Sequence, residues 1–285
     1  MPEVRKPVAA GRFYQATADR LRKQIRDCYR HPEGPGAVPE VQEVNGVQPQ
    51  GLIVPHAGYP YSGPVAAHGF RWLARKGVPE TVVILGTNHT GRGPSLALDP
   101  EGKWRTPLGE VEIDQALAGN LSERCTSLQQ NRQAFAGEHS IEVQLPFLQH
   151  LFRQEFQFVP ISVRDQDKQL AAELGESMTK IADEGVVFLA SSDFTHYETN
   201  ESAHEKDRLA IDRILKLDLD GFYRTIEGHH ISICGYGPIA SLMYLARSLG
   251  LASRELKYGT SEDVAGTGGQ VVGYASIALE DREDG

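Results

Sequence analysis

Residues 81–91 read TVVILGTNHTG, and this stretch decides how the fold is read. Residues 81–85 form an uninterrupted β-branched and apolar run. It is short for a helix and suits a strand buried on both faces. The run ends in a polar turn that carries His89. Two other stretches repeat the arrangement. GLIVPHAGYPYSG (51–63) gives a strand at 51–54 and then His56, and VVFLASSDFTHYE (186–198) gives a strand at 186–190 and then Asp193 and His196. Helical patterns lie between such runs, at 63–76, 138–153 and 167–184. The alternation predicts an α/β fold in one domain over 1–285, with a central, largely parallel or mixed sheet and helices on both faces. In such sheets ligands bind beyond the carboxyl ends of the strands. All three histidine turns lie at those ends.

Further strands are expected at 157–163 (QFVPISV) and 271–279 (VVGYASIAL), the second closing the sheet. The alternating LGEVEID (108–114) reads as an edge or hairpin strand. Leu21, Ile25, Cys28 and Tyr29 recur at helical spacing, with Thr17 as N-cap. Residues 32–50 are rich in Pro, Gly and polar residues and read as a loop inserted in the domain.

The bulk composition narrows the function. The 285 residues are 40% hydrophobic and 24% charged, ordinary for a globular chain. The net charge of −9, without a Lys/Arg block, argues against a nucleic-acid or anionic-membrane partner. No apolar run approaches the roughly 20 residues needed to span a bilayer, and the N-terminus has no continuous apolar stretch typical of a secretory signal. The three cysteines, Cys28, Cys125 and Cys234, are far apart and odd in number, which is no disulfide framework. A reducing cytoplasm is the expected setting. No P-loop, Rossmann or nucleophile-elbow motif is present.

The candidate chemistry lies in the turns. His56 stands between Pro55 and Gly58, His89 between glycines. Each alone reads first as a turn histidine, but successive strand ends converge in space. Asp193 and His196 are three apart and share a face if the segment is helical; Asp193 also reads as an N-cap. In GEHSIEVQLPFLQ, His139 and Glu142 lie at i, i+3 off an apolar stripe. They read as a metal-binding pair or as a polar first turn. Cys234, in ISICGYGPIA, is either a packed thiol or a soft metal ligand.

Beyond the residue chemistry, VRKPVAAGRFYQ, VPHAGYPYSGPVAAHGF, ILGTNHTG, GEHSIEVQLPFLQ, SSDFTHY and CGYGPIASLM occur in the order seen in the Memo family, which this chain resembles over residues 4–280. That family is the B component of the AmmeMemoRadiSam system. Its fold is similar to that of class III extradiol ring-cleaving dioxygenases, which hold Fe(II) with two histidines and a glutamate. The resemblance implies His56 and His89 as metal ligands and Cys234 as the third, where the dioxygenases have glutamate. It implies His196, with Asp193, as the pocket's acid/base pair and places His139 at the pocket. Fe(II) is the implied metal, with copper or zinc as alternatives, since thiolate favours softer ions. Three uses follow from it: a dioxygenase-like redox enzyme acting on a small, phenolic molecule; a non-catalytic protein binding metal or phosphopeptide; or a partner of AMMECR-type and radical S-adenosylmethionine proteins.

Overall fold

The computed structural model describes residues 3–44, 46–153 and 156–282. The chain opens with β1 (Val4–Arg5), α1 (Ala18–Arg30), β2 (Gln50–Val54) and α2 (Tyr59–Ala74). Then come β3 (Thr81–Thr87), β4 (Leu96–Leu98), the hairpin β5 (Lys103–Thr106) and β6 (Gly109–Glu112), α3 (Gln115–Arg124) and β7 (Leu128–Gln130). α4 (Leu145–Phe152), β8 (Gln157–Val163), α5 (Lys168–Thr179), β9 (Val186–Ser191) and β10 (His196–Glu198) follow. The last elements are α6 (Asn200–Leu215), α7 (Leu219–His229), α8 (Tyr236–Leu249), β11 (Ala252–Thr260), α9 (Ser261–Ala265) and β12 (Val271–Glu280).

The three runs identified from sequence become β2, β3 and β9, and every residue in them is buried. They sit in a nine-stranded mixed sheet in which β2, β9, β3 and β8 are consecutive and parallel. β9 lies between β2 and β3, with Ser191 beside both Val54 and Gly86. The three turns that leave these strands therefore start at one level of the sheet and meet. Helices cover both faces: α2 lies against β2 and β12, α8 against β2, β3 and β9, with α1 packed on α2 and α5 on α8. One apolar cluster runs from Ala9 to Leu279.

Several expectations are modified. β12 does not close the sheet, because β11 pairs outside it; β4, β7 and β11 are short or half-exposed strands without a clear sequence period. The 108–114 stretch forms its hairpin in a separate three-stranded sheet with β1. Helix α2 starts at Tyr59 rather than 63, because Pro60 stands in the first turn, where its preset φ and missing N–H are tolerated. The expected helix 138–153 is regular only from Leu145, after a short 3-10 turn at Glu142–Gln144. Upstream of it the Glu138 carboxylate accepts the N–H groups of His139 and Ser140, so this backbone is held by a side chain. Residues 32–49 form no helix or strand among those described, in line with the expected loop. No helix among the described residues is long and apolar enough to cross a membrane.

The segment 193–196 is not helical. Phe194 N–H donates to Gly273 and Gly273 N–H to Thr195, so it runs along β12 and becomes β10. Asp207, fully buried on α6, fastens it from outside by accepting Thr195 N–H (3.0 Å), the Thr195 hydroxyl (2.5 Å) and the Tyr258 hydroxyl (2.8 Å). Burial pushes the Asp207 carboxyl up to about 6, against the downward pull of the Thr195 and Tyr258 hydrogen bonds. The folded chain thus binds this proton more tightly than the unfolded one. The associated stability is whole below about pH 4 and is lost as pH rises through 6. Asp207→Asn is expected to raise stability at pH 7.5 by about 1–2 kcal/mol and to flatten that fall, measured by urea denaturation at several pH values. A loss of stability at pH 7.5 would show that the ionised acceptor matters more than its desolvation.

Candidate metal centre

Each turn presents its histidine through backbone anchors. After β2, the N–H groups of His56 and Ala57 donate to Asp193 Oδ1 at 2.7 and 3.2 Å. After β3, Asn88 Oδ1 accepts the N–H groups of Thr90 and Gly91, closing a side-chain turn that sets His89 at its apex. Cys234 enters from the loop before α8. Its N–H donates to Asp193 O, and its own carbonyl accepts Thr87 Oγ1 (2.9 Å) and Gln166 Nε2 (2.6 Å). A Cβ on the next residue, Gly235, would come within 2.6 Å of Ser192 Cβ, so only glycine lets this loop lie so close to β9.

The structure brings His56, His89 and Cys234 together, with ligand atoms from all three within 4.8 Å of one another. Cys234 Sγ lies 3.2 Å from His56 Nε2 and accepts Asp193 N–H at 3.2 Å. His56 Nδ1 lies 3.1 Å from Ser191 Oγ, and His89 Nδ1 lies 3.0 Å from Glu138 Oε1. His139 is sandwiched between His89 and Phe13, with ring centroids 4.7 and 4.2 Å away. It stands edge-on to His56 at 5.5 Å.

His89, Glu138 and His139 also place ligand atoms within 4.8 Å of one another. The Glu138 carboxylate, however, already accepts the N–H groups of His89, His139 and Ser140 and the His89 ring, and it works as an anchor. Burial pushes this carboxyl up, but the His89 hydrogen bond and charge and the Ser140 N–H outweigh it and bring it down to about 2. His89 responds in kind: burial lowers it, and Glu138 more than reverses this. Burial and the charge of His89 take His56 down to about 3, and burial with His56 takes His139 down to about 4. Both rings are neutral at pH 7 and offer lone pairs. Burial, then the charge of Asp193, lifts the Cys234 thiol to about 12, so it needs a cation beside it to ionise.

Asp193 and His196 are not a mutually bonded pair. Asp193 is 4% exposed and holds the His56 turn and the Cys234 loop. Burial raises its carboxyl, while His196 and the two N–H donors pull it down. His196 takes its partner from Ser232 instead: its N–H meets Ser232 Oγ at 2.8 Å and its Nδ1 meets Ser232 O at 2.9 Å. The orientation expected from Asp193 is thus supplied by a carbonyl. His139 and Glu142, read as one helical face, also part: His139 enters the site, while Glu142 turns away to the N-terminal segment. Sequence reasoning missed Ser191, Gln144, Ser232 and Phe13 as neighbours, because nothing in their local pattern marks them. His229 ends α7 and His230 is its C-cap. Among the nearby tyrosines, Tyr59 is core, while Tyr61 and Tyr197 are 43% and 71% exposed.

Comparison with known proteins bears on the family of the whole chain. The family model described as Memo-like protein matches residues 5–278. A MEMO1 family protein of Methanopyrus kandleri is 48% identical over 279 residues, covering 96% of this chain and 98% of its own. One from Sulfurisphaera tokodaii is 43% identical over 283 residues, covering 98% and 100%. Among solved structures, an uncharacterised protein of Escherichia coli K12 shares the fold with a TM-score of 0.52 at 14% identity, covering 79% of this chain and 98% of that one. With a family model spanning nearly its whole length and relatives this similar end to end, the chain belongs to the Memo family.

Proposed function

We propose that this protein holds one transition metal between His56, His89 and Cys234, Fe(II) in the first instance with copper and zinc as competitors, in an enzyme-like pocket that admits a small molecule. The observation that carries the reading is the convergence of three donor atoms from three separate loops within 4.8 Å. The donor set suits such ions: two neutral imidazoles and a thiol favour borderline to soft metals. Both Glu138 oxygens and Asp193 Oδ1 accept backbone N–H groups, and neither carboxylate falls in the His56–His89–Cys234 donor group, which supports a site built on nitrogen and sulfur. Three protein donors leave open positions, as in catalytic rather than structural sites.

The metal would supply Lewis acidity or redox chemistry when bound. The chain's own contribution is to hold ligands and to handle a proton. Ser232 O can only accept, so His196 carries its proton on Nδ1 and keeps Nε2 as the basic nitrogen. His196 is the proposed acid/base of a dioxygenase-type reaction. Cysteine in place of a carboxylate ligand also supports a second reading, in which the metal is held without turnover and the protein serves AMMECR-type or radical S-adenosylmethionine partners. The test is anaerobic loading with Fe(II), Cu(I) or Zn(II), removal of free metal, and elemental analysis. About one metal per chain is expected, with loss in His56→Ala. A chain that retains none of the three overturns the metal reading; metal retained without oxygen uptake on a panel of phenols favours the second.

A further inference from the structure

The hydrogen bonds around Ser191 carry a proton count that reaches the candidate metal centre. Ser191 Oγ has three partners: Ser140 O at 2.6 Å, Gln144 Nε2 at 2.7 Å and His56 Nδ1 at 3.1 Å. A serine hydroxyl has one proton to donate and two lone pairs to accept with. Ser140 O is a carbonyl and can only accept, so it takes the hydroxyl proton. Gln144 presents its amide nitrogen, because the same Nε2 also donates to Pro55 O at 2.9 Å. That nitrogen fills one lone pair of Ser191. The position left for His56 Nδ1 is the other lone pair, and only an N–H can occupy it. The proton of neutral His56 therefore resides on Nδ1, and Nε2 is a bare lone pair facing Cys234 Sγ at 3.2 Å. Free imidazole side chains in water favour the opposite tautomer.

We propose that Ser191, oriented by Gln144 and Ser140, is a positioning residue that sets the tautomer of His56 and so turns Nε2 toward the candidate metal. The value of this for metal capture rests on the reading above; the tautomer itself does not. Glu138 does the same for His89 with a carboxylate, which can only accept from Nδ1. The two devices differ because their surroundings differ. Glu138, itself only 2% exposed, keeps its charge by accepting three backbone N–H groups beside the His89 ring, whereas Ser191, 0% exposed, is met by the neutral Gln144 amide and the His56 ring. A carboxylate in the place of Ser191 would be a buried charge with no counter-charge, which is costly; a neutral hydroxyl fixes the same proton without it.

The test uses metal-free protein carrying 15N-labelled histidine. The imidazole nitrogen resonances are read by NMR at neutral pH, and Zn(II) affinity is read by competition with a chromophoric chelator. In the wild type, His56 Nδ1 is expected to be protonated and Nε2 unprotonated. In Ser191→Ala, the proton should move wholly or partly to Nε2, and Zn(II) affinity should fall about 10–100-fold. Ser191→Thr, which restores the hydroxyl, should recover both. A wild-type His56 protonated on Nε2, or an unchanged tautomer in Ser191→Ala, overturns the proposal, and the wild-type spectrum alone suffices if the variants fold poorly. If the wild type shows the expected tautomer and Zn(II) fails to bind, the tautomer assignment stands and the metal reading falls.

Discussion

Replacing Glu142 with alanine is expected to destabilise the fold by about 3–5 kcal/mol, the range for breaking a buried ion pair from one side. Glu142 is 0% exposed and accepts from Arg5 Nη1 (2.7 Å), Val8 N–H (2.9 Å), Ala9 N–H (2.8 Å) and the Tyr14 hydroxyl (2.7 Å). One carboxylate thus pins the N-terminal segment to the body. Removing it leaves a guanidinium that is only 10% exposed without its counter-charge and orphans three further donors. Arg5 keeps its contacts to Phe135 O and Glu138 O and its place over Trp104, which limits the loss. Urea or thermal denaturation measures it. Glu142→Gln should cost less, about 2 kcal/mol, because its amide oxygen still accepts while its NH2 faces donors. A loss below about 1 kcal/mol in the alanine variant would mean that water replaces the carboxylate. The same segment brings Phe13 onto His139 and its carbonyl onto Tyr59 N–H, so the variant should also loosen one wall of the candidate site.

Cys234→Ser is the second change with a large expected effect, here on metal binding and not on stability. Serine fits the same space, and its hydroxyl can still meet His56 Nε2 and Asp193 N–H, so folding should change by less than about 1 kcal/mol. A serine hydroxyl does not ionise in the way a thiol beside a cation does. Affinity for Fe(II), Cu(I) or Zn(II) is therefore expected to fall at least about 100-fold. Cys234→Asp restores a hard anion and should recover Fe(II) in preference to Cu(I). Unchanged metal content in Cys234→Ser, with the fold intact, would make Cys234 a packed thiol after all.

What was legible in the sequence was local. β2, β3, β9 and β8 announce themselves because strands buried on both faces must be largely apolar, and each apolar run breaks off into a turn or loop. Helix α1 shows its buried face as Leu21, Ile25, Cys28 and Tyr29 because a surface helix repeats its core contacts every three to four residues. Once three strands end in histidine turns, chemistry at one edge of the sheet follows from how parallel sheets bind ligands. The motifs also carried family membership, and with it the ligand candidates.

Tertiary structure decided which atom meets which. Asp193 looked like the partner of His196 because it lies three residues away, yet it holds the backbone of His56, 137 residues distant. His139 and Glu142 share a spacing, but one enters the site and the other secures the N-terminus, since residues 138–141 form an irregular turn and not the helix that would have aligned them. Short-range periodicity is written by the burial of each element's own face, and the chain displays it residue by residue. The proton on His56 is set by Ser191, Gln144 and Ser140, polar groups brought together by strand order and loop closure. Hydrogen-bond partners so far apart leave no periodic trace in the sequence, because any buried donor needs only one acceptor, wherever the fold supplies it.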